Sequence, residues 1–543
     1  MKEYLADRIG NALKVLGITT EESLLIEKPR QSGHGDLTSN IAMILAKPLK
    51  RKPRELADEI LKRMDLDPKL IAGTEIAGPG FLNFRFTDEF YRERLQDILR
   101  LGEKFGRSTA MEGKSAQVEF VSANPTGPLT VGHGRNAVFG DTVSTLLEWI
   151  GYDVTREYYF NNAGRQMRML GDSVRLRYLE LLGESVEFPD DYYQGEYIKE
   201  IAERLKAEKG DSLRGEPAEG LFKQRAEQEI FEDIKRTLKR LGMEFRSFFN
   251  ENSLYESGMI TEVIEELRKK GLVYDKEGAI WFKTSELGSE KDKVIVKSTG
   301  EPTYRLPDIA YHREKFRRGY DLMVDVFGSD HVATYPDVLA GVKALGHDPE
   351  KVKVLIHQFV TIVQNGEVVK MSTRKANFIT LDELIDEVGA DVVRYFFIMR
   401  SMSSHLNFDL GLAKQHSDEN PVYYVQYAHA RISSILQYAG AEGKNPTGEA
   451  LLSRLEHPAE IGLIKFLLEF PDIVESAATS FEPHRLTEYL HEVATGYHRF
   501  YHECRVVSDD ETLTQARLAL CNATRIVLRN GFKVLGISAP DQM

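Results

Sequence analysis

Residues 122–141 read SANPTGPLTVGHGRNAVFGD. A Pro/Gly/Thr loop runs into Gly132-His133 and then into a helix. Just upstream, AQVEFVS at 116–122 alternates and is rich in β-formers, which predicts a strand. Downstream, Phe139, Val143, Leu146, Leu147 and Ile150 make one apolar helical stripe, and Gly151 fits its stop. YDVTREYYF at 152–160 reads as the next strand. Strand, loop, helix, strand is the opening of a parallel nucleotide-binding sheet, which collects ligands beyond the carboxyl ends of its strands. There the free N–H groups and the dipole of a helix start attract anions. Gly132 lets a flat group approach the backbone, and His133 can donate to a phosphate oxygen. Taken alone, the pair fits a simple turn equally well. The chain has no G-x-x-x-x-G-K-[ST] segment, so a phosphate site here is not of the Walker type.

Working outward, residues 1–108 read as a small α+β domain. YLADRIGNALKVLG and LTSNIAMILAKPL have helical patterns, and TEIAGPGFLNFRFT is strand, turn and strand. Lys47, Lys50, Arg51, Lys52 and Arg54 form a basic cluster with Pro48 and Pro53 as breakers, either as a solvated loop or as a contact to a phosphate backbone. From about 180 to 275 the pattern is charged and helical, an insertion between two halves of the sheet. AIWFKTS and KVIVKST are further strands, and YDLMVDVFGSDH and KVKVLIHQF resume the parallel sheet. Past about 408 only helical patterns remain. The expected architecture is α/β and multidomain: α+β over 1–108, a Rossmann-like parallel sheet over 109–408 with its insertion, and all-α over 409–543.

Composition narrows the class. A chain of 543 residues is too long for one ordinary core. It has no apolar run of about 18 residues, and its first residues lack an apolar signal core, so the expectation is a cytoplasmic protein with no membrane segment. Two cysteines, Cys504 and Cys521, cannot build a disulfide framework or a thiolate zinc site. The net charge of −13 makes the chain a poor generic polyanion binder, so nucleic acid must be met through local basic patches.

A second motif lies at 366–380, GEVVKMSTRKANFIT, where Lys370, Arg374 and Lys375 crowd a short segment. Such a loop can close over a triphosphate and neutralise developing charge. Together the two motifs resemble the His-x-Gly-His and Lys-Met-Ser-Lys-Ser signatures of class I aminoacyl-tRNA synthetases, here Thr130-Val131-Gly132-His133 and Lys370-Met371-Ser372-Thr373-Arg374. VEFVSANPTGPL, NNAGRQ at 161–166, GEPTYRLPDIAYH at 300–312, YAHARI at 427–432, the terminal LGISAPDQM and the N-terminal GDLTSNIA and GPGFLNF are similar to the arginyl-tRNA synthetases, over essentially the whole chain.

That resemblance implies an ATP-dependent ligase that forms arginyl-adenylate and then charges the terminal adenosine of an arginine tRNA. It implies that Glu119, Tyr304 and Asp308 hold the arginine side chain and Asn124 its α-amino group. Thr130, Gly132, His133, Lys370, Met371 and Ser372 would meet ATP, with Mg²⁺ on the triphosphate and His133 and Lys370 on phosphate. The chemistry agrees: a guanidinium is a permanently charged planar fork that asks for carboxylates, and Asp308 lies one helical turn from Tyr304. Two positions depart from the signatures. Thr130 replaces the first histidine, and Thr373 replaces a loop lysine, for which Arg374 or Lys375 is the expected substitute. On the RNA side, Lys50, Arg51 and Lys52 would meet the outer corner of the tRNA, and Tyr427 and Arg431, with Tyr423, the anticodon. The expected state is a monomer. Cysteine-activating relatives need a zinc-thiolate site that this chain lacks. A decayed RNA-binding paralogue would explain Thr130 and Thr373, but it does not explain an intact set of Glu119, Asn124, Gly132, His133, Tyr304 and Asp308.

Overall fold

The computed structural model describes residues 1–20, 24–29, 31–364, 366–369, 379–443 and 451–543. The quoted stretch follows β1 (Ser115–Glu119), the central strand of a five-stranded sheet. The other strands are β2 (Asp153–Phe160), β3 (Ser247–Asn250), β4 (Leu322–Gly328) and β5 (Val352–His357), in the order β5-β4-β1-β2-β3. Every pairing is parallel. The winding goes outward from β1 through β2 to β3, then restarts on the other side of β1 with β4. The switch point, and so the expected ligand crevice, lies at the carboxyl ends of β1 and β4. This is the Rossmann-like sheet read from the sequence.

Helix α1 (Val131–Trp149) is buried along nearly its whole length, as the helix that follows β1 must be. Gly140 allows this closeness, because a Cβ there would stand 2.2 Å from Phe120. The same sheet contains a strand that sequence reading missed. Within 180–275, helices Glu196–Lys209, Lys223–Arg240 and Met259–Lys269 match the charged helical pattern, but Ser247–Asn250 joins the main sheet as its edge. Four residues, SFFN, are too short to show any periodicity. Two short sheets complete this part of the chain: antiparallel Val273–Lys276, Ala279–Phe282 and Lys293–Val296, and a second in which Val360–Gln364 pairs with Leu406–Asp409 and Glu367–Val368.

The chain divides into two compact units. The sheet domain belongs to the unit formed by 106–431, 470–494 and 528–543. The other unit comprises 1–105, 432–469 and 495–527. It holds an antiparallel sheet ordered Ile26–Glu27, Leu37–Ser39, Phe81–Phe86, Ile71–Ala77, the α+β fold expected. Of LTSNIAMILAKPL only Ile41–Ala46 is helical. Leu37 and Ser39 point inward with Thr38 between them, a strand period that the flanking helical pattern hides. Pro53 starts a helix, Pro53–Arg63, at a position where a missing N–H costs nothing. Beyond Asp409 every described element is helical, ending in Glu511–Leu535. No helix among the described residues is long and apolar enough to cross a membrane.

Candidate active site

At the end of β1 the chain turns through Val121 (φ 66°) and Ser122 (φ 44°), a left-handed stretch that is costly for a β-branched residue. Hydrogen bonds hold it. The Val121 N–H donates to Asn136 Oδ1 of α1 at 2.6 Å, and Asn136 Nδ2 donates to the Val326 carbonyl of β4 at 2.8 Å. The Ser122 hydroxyl donates to Glu119 at 3.0 Å. Strained backbone pinned from two neighbouring elements marks the crevice as a built site.

Thr130 caps α1, and the departure from the histidine signature acquires a local reason. The Thr130 N–H donates to His133 Nδ1 at 3.1 Å, with the Thr130 hydroxyl 3.3 Å from the same nitrogen. His133 thus fills the role that a Glu has in a capping box. Burial, reinforced by nearby His357, holds His133 down to about 4, so the ring is neutral at physiological pH. With Nδ1 accepting, the proton sits on Nε2, which becomes a neutral donor. Gly132 is exposed, and a Cβ on it would meet nothing nearer than Thr130 Oγ1 at 3.7 Å, so no protein packing demands this glycine. Arg135 is fully buried and donates to the carbonyls of Gln358 (2.8 Å), Ser401 (3.1 Å) and Ser404 (3.0 Å).

The acids gather across the sheet. Asp325 of β4, Glu119 of β1 and Glu157 of β2 stand in register, three buried carboxyls side by side. Helix α2 (Arg305–Arg317) supplies their counter-ions. The Lys315 ammonium donates to Glu119 at 2.6 Å and Asp325 at 2.5 Å and lies 4.3 Å from the Tyr311 ring centre. Arg318 forks onto Glu157 at 2.5 and 2.8 Å, and Tyr311 donates to Glu157 at 2.5 Å. Burial works against both cations and their three carboxylate partners; the pairing overrides it for Lys315, Arg318, Asp325 and Glu157, whereas burial still pushes Glu119 up. Lys315 is held above its ordinary range, Asp325 below, and Glu157 down to about 2. His312 bridges Asp325 (2.8 Å) and the Asp308 carbonyl (2.7 Å).

Asp308 lies on the same face of α2, four residues before His312 and seven before Lys315. Among the described residues its carboxylate has no hydrogen-bond or ion-pair partner. Burial pushes it up to about 7, with His312 and Lys315 pulling down and Glu119 and Glu251 pushing up. Glu251, just past β3, accepts from Tyr159 at 2.7 Å and Asn161 at 2.8 Å, and burial raises it too. Asn124 is fixed by Gln166 (3.0 Å) and by the Asn161 N–H (2.9 Å). The structure therefore brings Glu119, Asp308 and the Thr130–His133 turn to one end of the sheet. Tyr304 stands apart, 89% exposed at the cap of α2. Sequence reading missed Lys315, Asp325, His312 and Glu251. The 308, 312, 315 spacing on one helix face was the available signal for two of them.

Lys370, Met371, Ser372, Thr373, Arg374 and Lys375 lie outside the described residues. The flank beyond them returns to the crevice, where Thr380 bridges Thr130 and the Leu381 N–H donates to the Leu129 carbonyl at 2.8 Å. Of the RNA candidates, exposed Lys50 has φ 52°, Arg51 pairs with Glu59, and Lys52 pairs with Glu55 at 2.9 Å. Tyr423 and Tyr427 stack at 6.0 Å, with Arg431 5.6 Å from the Tyr427 ring centre.

Three family models match the chain: "Arginyl tRNA synthetase N terminal domain" over 3–86, "tRNA synthetases class I (R), catalytic domain" over 94–395, and "DALR anticodon binding domain" over 425–543. An arginine–tRNA ligase of Desulfotalea psychrophila is 54% identical over 95% of this chain and 94% of its own length. One from Chlorobium phaeovibrioides is 52% identical over the full length of both. The solved arginyl-tRNA synthetase of Thermus thermophilus has the same fold, with a TM-score of 0.78 over both whole chains at 22% identity.

Proposed function

The chain belongs to the class I arginyl-tRNA synthetases, and on that premise we propose how its residues divide the work of an arginine–tRNA ligase. It joins L-arginine to the arginine tRNA using ATP. In the first step the arginine carboxylate attacks the α-phosphate and pyrophosphate leaves. In the second, a ribose hydroxyl of the terminal adenosine attacks the adenylate carbonyl and AMP leaves. No covalent enzyme intermediate is required, so the protein contributes position and charge.

Asp308 and Glu119 receive the guanidinium in this reading, with Asn124 meeting the α-amino group. The observation that carries it is that, among the described residues, the Asp308 carboxylate has no hydrogen-bond or ion-pair partner, whereas Glu119 and Glu157 are paired with Lys315 and Arg318. Tyr304 closes over the side chain only if its exposed ring turns inward. His133 donates from Nε2 to phosphate while Thr130 holds the ring, and Gly132 admits ATP to the helix start. Lys370 and either Arg374 or Lys375 neutralise the triphosphate, with Met371 and Ser372 lining the nucleotide. Magnesium arrives with ATP. Among the described residues no group of three His, Cys, Asp or Glu is arranged to hold a metal.

The functional division is 1–108 for the tRNA corner, through Lys50, Arg51 and Lys52, then 109–408 for catalysis, with the insertion at about 180–275. Residues 409–543 take the anticodon, with Tyr427 and Arg431 as a stacking and cationic face. The enzyme is read as a monomer of the cytoplasm; two free, buried thiols fit a reducing compartment and say nothing of the oligomeric state. The test is arginine-dependent ATP–pyrophosphate exchange with and without the tRNA. Exchange that needs tRNA supports a site the RNA completes, as the family resemblance implies. Absence of exchange with tRNA still bound would favour a non-catalytic RNA-binding protein.

A further inference from the structure

The caps of two helices meet at the mouth of the crevice. Thr130 caps α1, and Thr380 caps the helix Leu381–Val388, which begins just beyond the second motif. The Thr380 hydroxyl accepts from the Glu383 N–H at 3.1 Å, and Glu383 accepts from the Thr380 N–H at 2.7 Å. The two caps are joined to each other. Thr380 bridges Thr130 in antiparallel register, and the Leu381 N–H donates to the Leu129 carbonyl at 2.8 Å. Leu381 is fully buried against α1, where a Cβ at Gly134 would stand 2.6 Å from it. The first turn of this helix is therefore the surface on which the Thr130–His133 turn is built.

The insertion holds that first turn from the other side. Its helix Lys223–Arg240 ends in Arg240, whose guanidinium forks onto Asp382 and Asp386, one helical turn apart. Buried Thr237 directs its hydroxyl to the other oxygen of Asp382. Arg240 at a helix carboxyl end and Asp382 in a first turn each sit where the helix dipole favours their charge. The end of the insertion helix is itself fixed, because the Leu241 carbonyl accepts from buried Arg394 at 2.7 Å. A groove of about 750 Å³, lined mostly by charged side chains, runs between the insertion helices and Asp382 and Asp386, so ion pairs and not apolar packing set the distance there. The Arg240 side chain is 33% exposed, and loss of so open a pair costs the fold little.

We propose that Arg240 is a positioning residue for the ATP step: through Asp382 and Asp386 it fixes the first turn of the helix after the second motif against the cap of α1, and so holds the Thr130–His133 turn in the geometry that meets phosphate. The inference rests on the reading of His133 as a phosphate donor. Glu119 and Asp308 receive none of these contacts, so arginine binding is untouched. Misplacement by about 1 Å costs on the order of 10²-fold in rate. The Thr130–Thr380 bridge and the Leu381 N–H remain without Arg240, so a part of that loss, about tenfold, is expected.

The experiment measures arginine-dependent ATP–pyrophosphate exchange by the full-length enzyme with its tRNA present. Arg240→Met keeps the aliphatic stem and removes the fork. It is expected to lower kcat/KM for ATP about tenfold, with KM for arginine changed by less than about twofold. Hydrogen exchange at the Leu381 amide is expected to quicken in the same variant. Arg240→Lys, which keeps a cation, is expected to retain more activity than Arg240→Met. Asp386→Asn severs one arm at a carboxylate that is 69% exposed, and is expected to lose about threefold even if Arg240→Met does not fold. Combining Arg240→Met with Asp382→Asn is expected to be no slower than the slower single variant, because both cut one contact. Unchanged kcat/KM for ATP in Arg240→Met and Asp386→Asn, equal losses for ATP and arginine, or fully additive losses in the double variant would overturn the inference. His133→Asn tests the underlying reading separately. If it leaves exchange at the wild-type rate, the phosphate role of His133 fails whatever Arg240 does. If it slows exchange while Arg240→Met behaves as wild type, only the role of Arg240 fails.

Discussion

Acidification should release the enzyme's hold on L-arginine through Asp308. Burial penalises its charge and pushes the carboxyl up to about 7. The groups that face it are Glu119, Glu251, His312 and Lys315. The guanidinium needs the ionised form, so a proton and the substrate compete for one site. With a pKa near 7, the carboxylate is roughly 90% ionised at pH 8, about half at pH 7 and about 10% at pH 6. Apparent affinity should therefore fall about tenfold from pH 8 to pH 6. Binding should expel about 0.9 proton at pH 6 and about 0.1 at pH 8. Calorimetric titration with L-arginine, in buffers of different ionisation enthalpy, reads both quantities. The linked stability effect has the opposite sense to that of a salt-bridged acid. The folded pKa lies above the ordinary 3.8, so the empty protein loses stability as pH rises from about 4 through 7, by at most roughly 4 kcal/mol. Asp308→Asn should abolish the slope in affinity and flatten this loss. Arginine affinity that is constant from pH 6 to 8, or the same slope in Asp308→Asn, would refute the reasoning.

Other outcomes follow from individual contacts. Gly132→Ala adds a methyl that meets no protein atom closer than 3.7 Å, so the melting temperature should hold while KM for ATP rises about tenfold if the nucleotide needs that space. Gly134→Ala is the contrast, because its Cβ would stand 2.6 Å from Leu381 and 2.9 Å from Phe397, and denaturant unfolding should show a loss of about 1–3 kcal/mol. Arg135→Met strands three carbonyl acceptors beside α1 and should destabilise the fold by about 3 kcal/mol or more by the same assay. His133→Asn should slow adenylate formation about 10²-fold, and the wild-type rate should show no histidine titration between pH 6 and 8, because the ring is already neutral there.

The sheet and its site were legible in the sequence to different degrees. β1, the loop and α1 were readable because a β-rich run, a Pro/Gly break and a twelve-residue apolar stripe follow one another without ambiguity. Ser247–Asn250 was not, because a four-residue edge strand carries no period. Leu37–Ser39 was hidden by the helical residues after it. Glu119 and Asp308 were reached through resemblance, and no property of either residue alone distinguishes it from a surface acid. Lys315 and Asp325 were missed because their meaning lies in the register of β1 against β4, which brings Glu119 opposite Asp325 although about two hundred residues separate them. Tyr304 illustrates the reverse case: a motif position whose side chain, in the structure without substrate, faces out.

The most direct test is a crystal structure of the protein with L-arginine bound. The guanidinium is expected to pair with the Asp308 carboxylate. A guanidinium seated between Glu119 and Asp325, with Lys315 displaced and Asp308 left empty, would contradict that pairing.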